Sequence, residues 1–86
     1  MNKKFYTYVL YSYAFKRLYI GHTDNLENRI KRHNNGYVSS TKPFKPYKII
    51  YFEEFDSREK AIQRERELKS LEGRNFVKQF IETNIS

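Results

Sequence analysis

The chain has 86 residues, enough for one small domain with a single core, and no cysteine, so neither a disulfide framework nor a thiolate zinc site can hold it together. Lys and Arg number 17 against 10 Asp and Glu, a formal charge of +7, which suits a polyanionic partner such as nucleic acid or an anionic membrane surface. No apolar run approaches the ~20 residues that span a bilayer, and MNKKFYTYVLYS has no signal-peptide h-region or cleavage site, so a cytoplasmic location is expected.

Residues Phe5 to Tyr13 are rich in aromatic and β-branched types, Arg17 to Thr23 repeats that character, and the intervening Ala14-Phe15-Lys16 is short enough for a hairpin. Two antiparallel strands are predicted. Asp24 to Glu27 has the pattern of a capping box, with Asp24 accepting from first-turn amides and Glu27 reaching back. A helix follows with Leu26, Ile30 and His33 on one face, and Asn34-Asn35-Gly36 ends it. Tyr37 to Pro46 contains two prolines and three hydroxyl residues and reads as a loop, made basic by Lys42 and Lys45.

Tyr47 to Phe55 is the most strand-like run, and its nearly continuous Ile49, Ile50, Tyr51 and Phe52 predict a strand covered on both faces and central in the sheet. Asp56 with Glu59 forms a second capping box opening a helix from about Ser57 to Leu71, which the Glu72-Gly73-Arg74 stretch is expected to break. A last helix, about 74–82, carries Phe76, Val77, Phe80 and Ile81 on one stripe. The order β-β-α-β-α-α predicts a single α+β domain over residues 1–86, a small three-stranded sheet packed by helices.

Five side chains raise chemical questions. Turned at about 100° per residue, the second helix places Ala61, Ile62, Leu68 and Leu71 on one side with Glu65 inside the same arc, while Glu67 points away. A carboxylate there is costly unless it is paired, hydrogen-bonded or bound to a cation; an ion pair with one of the arginines is the ordinary explanation. Arg29 and His33 lie four residues apart and share a face with Leu26 and Ile30, where an arginine usually snorkels and a histidine is usually a satisfied boundary residue. Tyr8 and Tyr19 are ordinary strand residues when taken alone. Together on a basic domain, these groups match what phosphodiester hydrolysis needs: a base for water, a cation over the phosphate and a carboxylate that holds a metal.

In order and separation, these residues resemble the GIY-YIG nuclease family. Tyr8-Val9-Leu10 stands where its first motif ends, with Thr7 and Tyr6 in place of the usual Ile and Gly, and Tyr19-Ile20-Gly21 is the second motif intact. Arg29 stands at the family's helix arginine, His33 follows one turn later, and Glu65 in AIQRERELK matches its metal-binding glutamate. The likeness covers roughly Phe5 to Leu71 and is nearest to small stand-alone members. It implies a three-stranded antiparallel sheet flanked by helices and a metal-dependent endonuclease acting on nucleic acid, DNA ahead of RNA, in repair or recombination.

The resemblance also implies roles. Tyr8 or Tyr19 would help deprotonate water, Arg29 would neutralise charge on the phosphoryl oxygens, His33 would orient the nucleophile or share its proton, and Glu65 would bind one Mg²⁺ or Mn²⁺. Gly21 would let the strand end approach the substrate or bend into the helix. His22 sits either close enough to tune a tyrosine or at the surface. Lys31, Arg32, Lys42 and Lys45 are candidate phosphate-positioning charges. Two other readings stand beside the nuclease: a nucleic-acid-binding module with little turnover, and a protein-interaction domain whose charge is incidental.

Overall fold

The computed structural model of the chain describes residues 3–85. Strands β1 (Phe5–Ser12) and β2 (Arg17–Thr23) form the expected hairpin, with Tyr8 opposite Gly21 and Leu10 opposite Tyr19. Lys16 closes the turn at φ 54°, a left-handed conformation uncommon outside glycine, and the Ser12 hydroxyl accepts the Phe15 amide at 3.4 Å. Strand β3 (Lys48–Phe55) pairs antiparallel with β1, giving the order β2-β1-β3.

The central strand is therefore β1, and the expectation that 47–55 lies centrally is corrected: β3 is an edge. Its continuous apolar run has two local causes. A register shift between Val9 and Leu10 pairs Val9 with Tyr51 but Leu10 with Ile49, so the intervening Ile50 is left over as in a β-bulge. Both Ile50 and Tyr51 then pack on one side of the sheet, while Ile49 packs on the other. An edge strand covered on both faces carries the same hydrophobic signal as a central one.

The helices among the described residues are α1 (Leu26–Asn34), α2 (Arg58–Lys69) and α3 (Leu71–Asn84), with one turn of 3₁₀ helix at Lys42–Phe44. Alternation along β1 divides the core between two layers. Val9 joins Ile20, Leu68, Val77 and Ile81 under α2 and α3, while Tyr8 and Leu10 join Tyr19, Leu26, Ile30, Phe44 and Tyr47 under α1 and the 3₁₀ turn. Thr7, buried on the α2 side, donates its hydroxyl to the Ala61 carbonyl at 2.7 Å and fixes that helix against β1. The fold is α+β in the predicted order.

Both N-caps fall one residue later than the capping boxes suggest. Asn25, not Asp24, caps α1 by accepting the Asn28 amide at 3.0 Å, and Ser57, not Asp56, caps α2 by accepting the Lys60 amide at 3.3 Å. The two aspartates serve as ion-pair partners instead, Asp24 with Lys3 at 2.9 Å and Asp56 with Lys60 at 3.0 Å. The break between the last helices lies at Ser70, which is C-cap of α2 and N-cap of α3, so Gly73 stands inside α3 and that helix runs longer than 74–82. Leu71 leaves the predicted apolar side of α2 because it begins α3, and it is 77% exposed.

Candidate active site

The Tyr8 hydroxyl lies where side chains from β1, β2, α1 and α2 converge. Tyr8 and Tyr19 project from adjacent strands on the α1 side, with ring centroids 6.2 Å apart, and the His33 ring approaches Tyr19 to 4.6 Å and Tyr8 to 6.1 Å. The register opposes Gly21 to Tyr8, and a Cβ on Gly21 would come within 2.8 Å of the Tyr8 hydroxyl and 3.0 Å of the Tyr19 ring. Glycine is thus required by the close approach of both phenols.

His33 is fully buried, 0% exposed, and both its ring nitrogens have partners. Its Nδ1 meets the Thr41 hydroxyl at 2.8 Å and its Nε2 meets the Tyr8 hydroxyl at 3.2 Å. The Thr41 hydroxyl donates to the Val38 carbonyl at 3.2 Å, which uses its only hydrogen. With that hydrogen on Val38, Thr41 accepts from His33 Nδ1–H and Nε2 accepts from the Tyr8 O–H. Burial, then repulsion from Arg29 and Arg32, pushes the His33 pKa down to about 4; at neutral pH it is the neutral tautomer this chain of hydrogen bonds demands.

Tyr8 is held protonated as well. Burial raises its pKa well above the usual phenol range, Tyr19 adds to the rise, Arg29 opposes it through charge and hydrogen bonding, and Glu65 raises it further. Arg29 and Glu65, on α1 and α2, therefore both act electrostatically on one phenol. Gly21 and β2 lie at the edge where the two layers meet, because β2 is an outer strand.

The Glu65 carboxylate accepts from His22 Nδ1 at 2.6 Å through one oxygen and from Lys69 Nζ at 2.6 Å through the other. Burial pushes its carboxyl pKa up, but hydrogen bonds and charge from Lys69 and His22 outweigh this and hold it below the usual carboxylate range. The side chain is 18% exposed, so an ionised oxygen pair remains within reach of solvent. Among the described residues no group of three or more His, Cys, Asp or Glu side chains gathers as a metal cluster. A divalent cation would rest on Glu65 together with water and substrate oxygens. That donor set fits Mg²⁺, which commonly binds through one or two carboxylates and phosphate while keeping its waters.

The remaining candidates sit around this centre. His22 lies against Glu65. Lys31 and Arg32 are exposed in the last turn of α1, with Arg32 over the Tyr37 ring at 5.9 Å. Lys42 and Lys45 are exposed at the two ends of the 3₁₀ turn, immediately after buried Thr41. Thr41 and Lys69 were not among the residues singled out from the sequence. Lys69 carried a usable signal, four residues after Glu65 on a helix; Thr41, in an irregular loop, carried none.

A family model described as the GIY-YIG catalytic domain matches residues 4–78. A UPF0213 protein of Natronomonas pharaonis is 43% identical over 67 residues, 77% of this chain and 78% of that protein. A UPF0213 protein of Streptococcus pyogenes is 36% identical over 84 residues, 96% of this chain and 90% of its own. The solution structure of a UPF0213 protein from Bacillus halodurans superposes with a TM-score of 0.54 at 28% identity, covering 94% of this chain and 85% of that one. No helix of the described residues is long and apolar enough to cross a membrane. With its two tyrosine motifs on paired strands, its helix arginine and its matching glutamate inside the matched span, the chain belongs to the GIY-YIG catalytic domain family, a nuclease superfamily.

Proposed function

We infer that this protein is a divalent-metal-dependent endonuclease that hydrolyses phosphodiester bonds in DNA. The observation that carries the reading is the grouping around Tyr8: His33 Nε2 lies 3.2 Å from its hydroxyl, the Tyr19 ring centroid is 6.2 Å from its own, and Arg29 and Glu65 are near enough for their charges to act on the phenol. A module that only bound nucleic acid would need no such grouping around a buried phenol and a buried imidazole. Tyr8 cannot act as a standing phenolate, because its pKa is raised; it serves as a relay. Water gives a proton to the Tyr8 oxygen while the Tyr8 proton moves to His33 Nε2 along the 3.2 Å hydrogen bond. The resulting hydroxide oxygen bonds to phosphorus, and the bond to the 3′ oxygen breaks.

His33 is a poor acceptor while Arg29 and Arg32 repel its charged form. A phosphate bound at Arg29 offsets part of that repulsion, so the proton acceptor strengthens when substrate is present. Arg29 also offers a planar, permanently charged donor set to the phosphoryl oxygens. When bound at Glu65, Mg²⁺ or Mn²⁺ supplies positive charge for the departing 3′ oxygen. His22 and Lys69 keep that carboxylate ionised and oriented.

Plasmid nicking tests this reading. The wild-type protein should convert supercoiled DNA to open circles with Mg²⁺ or Mn²⁺ and not with EDTA, and Glu65→Gln should lose about 10²-fold or more of that rate with an unchanged circular dichroism spectrum. Full activity in the variant removes Glu65 from the mechanism. DNA binding without nicking under any divalent cation would establish a binding module instead.

A further inference from the structure

A groove of about 950 Å³ opens beside the candidate site, between the β1–β2 hairpin, the end of α2 and one face of α3. Arg74, Lys78, Ile81 and Glu82 reach it from positions spaced four, three and one residues apart along α3, so they share one stripe of that helix. Lys16 enters from the hairpin turn and Lys69 from the end of α2. Four of its residues are thus cationic and one is acidic. Its apolar surface comes from Leu18, Ile20 and Ile81, with the Tyr11 ring beside them. Tyr19 and Lys69 belong both to this groove and to the surroundings of Tyr8 and Glu65. The groove is continuous with the site.

We propose that this groove seats an unpaired stretch of polynucleotide next to the bond to be cut, with phosphates on Lys16, Arg74 and Lys78 and bases against Tyr11 and the aliphatic floor. The two halves of the lining decide the occupant. Cations alone would suit any polyanion, duplex included. Duplex, however, presents phosphate and sugar to a groove and keeps its base faces stacked inside, so the apolar floor would meet nothing of its own kind. An unpaired strand offers both a backbone for the cations and base faces for the floor, the combination used by sequence-tolerant single-strand sites. The substrate that follows is one with a single-stranded arm, such as a flap or an overhang. This assignment rests on the nuclease reading for its biological use, but the groove itself is tested by binding.

The test compares wild type with the double variant Arg74→Gln, Lys78→Gln, both exposed on α3, using fluorescence anisotropy with labelled oligothymidylate, oligouridylate and a blunt duplex. Wild type should bind an unpaired probe more tightly than the duplex. The double variant should lose about tenfold in affinity for the unpaired probe, with the log–log salt slope shallower by roughly 0.7 for each phosphate contact removed. Duplex affinity should fall by less than about twofold, a difference that loss of folding would not produce. The loss in either unpaired probe supports the assignment. Unchanged binding of both unpaired probes, or an equal loss for duplex, overturns the assignment. A protein that shows this binding pattern but never nicks plasmid refutes the nuclease reading alone; one that nicks while the double change leaves single-strand affinity intact refutes the groove alone.

Discussion

His33 ties the chemistry of the site to the stability of the fold. In the unfolded chain a histidine takes up its proton near pH 6.5, whereas burial and two neighbouring arginines push the folded value down to about 4. Between these limits the unfolded state binds a proton that the folded state does not, so stability falls as pH drops through the window and is complete above it. The gap corresponds to on the order of 3 kcal/mol. Urea titrations at pH 7.5 and 4.5 should show a loss of that order for wild type and a clearly smaller one for His33→Gln; equal losses would show that His33 is not the titrating group. Thr41→Val removes the acceptor of the His33 Nδ1 hydrogen. It should cost about 1–2 kcal/mol of stability and about tenfold in nicking rate, with DNA affinity unchanged.

Residue chemistry was legible from sequence where it had a period to stand on, and not elsewhere. Arg29 with His33, and Glu65 within the arc of Ala61 and Leu68, could be placed by helical spacing before any contact was known. The tautomer of His33 could not be read, because it depends on a loop threonine whose own hydrogen goes to Val38. Glu65's second partner, Lys69, was available from the same spacing but is one of many lysines.

At the scale of elements, the junction between α2 and α3 is more constrained than its composition suggests. Ser70 closes one helix and opens the next, accepting the Gly73 amide at 3.3 Å. At Gly73 an added Cβ would lie 2.1 Å from the Glu67 carbonyl oxygen and 2.4 Å from the Leu68 Cα. These are backbone atoms, so no side chain can turn aside. Gly73→Ala should destabilise the protein by about 3 kcal/mol or more, the upper range for overpacking, as read by denaturant midpoint. A change within about 0.5 kcal/mol would mean that α3 shifts on α2 at little cost. The sequence marks this glycine as a helix breaker because breakers and close contacts use the same residue. The misplacement of β3 has a similar origin: period and apolarity report coverage of a strand's faces, and they say nothing about how many neighbours it has.

The whole molecule is electrically lopsided, and that asymmetry sets how a polyanion should approach. On the side of β3 and the outer face of α2, Arg64 binds Glu53 at 3.1 Å and Glu67 at 3.2 Å, and Lys60 binds Asp56 at 3.0 Å, so part of the positive charge there is matched locally. Lys31, Arg32, Lys42 and Lys45 belong to α1 and the loop that follows it, the layer that contains His33 and Thr41. Toward duplex, the net +7 should therefore act through the α1 layer rather than through β3 and the outer face of α2, with the groove cations Lys16, Arg74 and Lys78 left to the unpaired strand. Two single changes of equal charge separate these cases. Lys42→Ala should weaken duplex binding severalfold and lower the salt slope by roughly 0.9, the value for one phosphate contact on B-form DNA, whereas Lys60→Ala should leave both unchanged. Equal effects from the two lysines would mean that affinity follows total charge, and the approach over α1 would have to be abandoned.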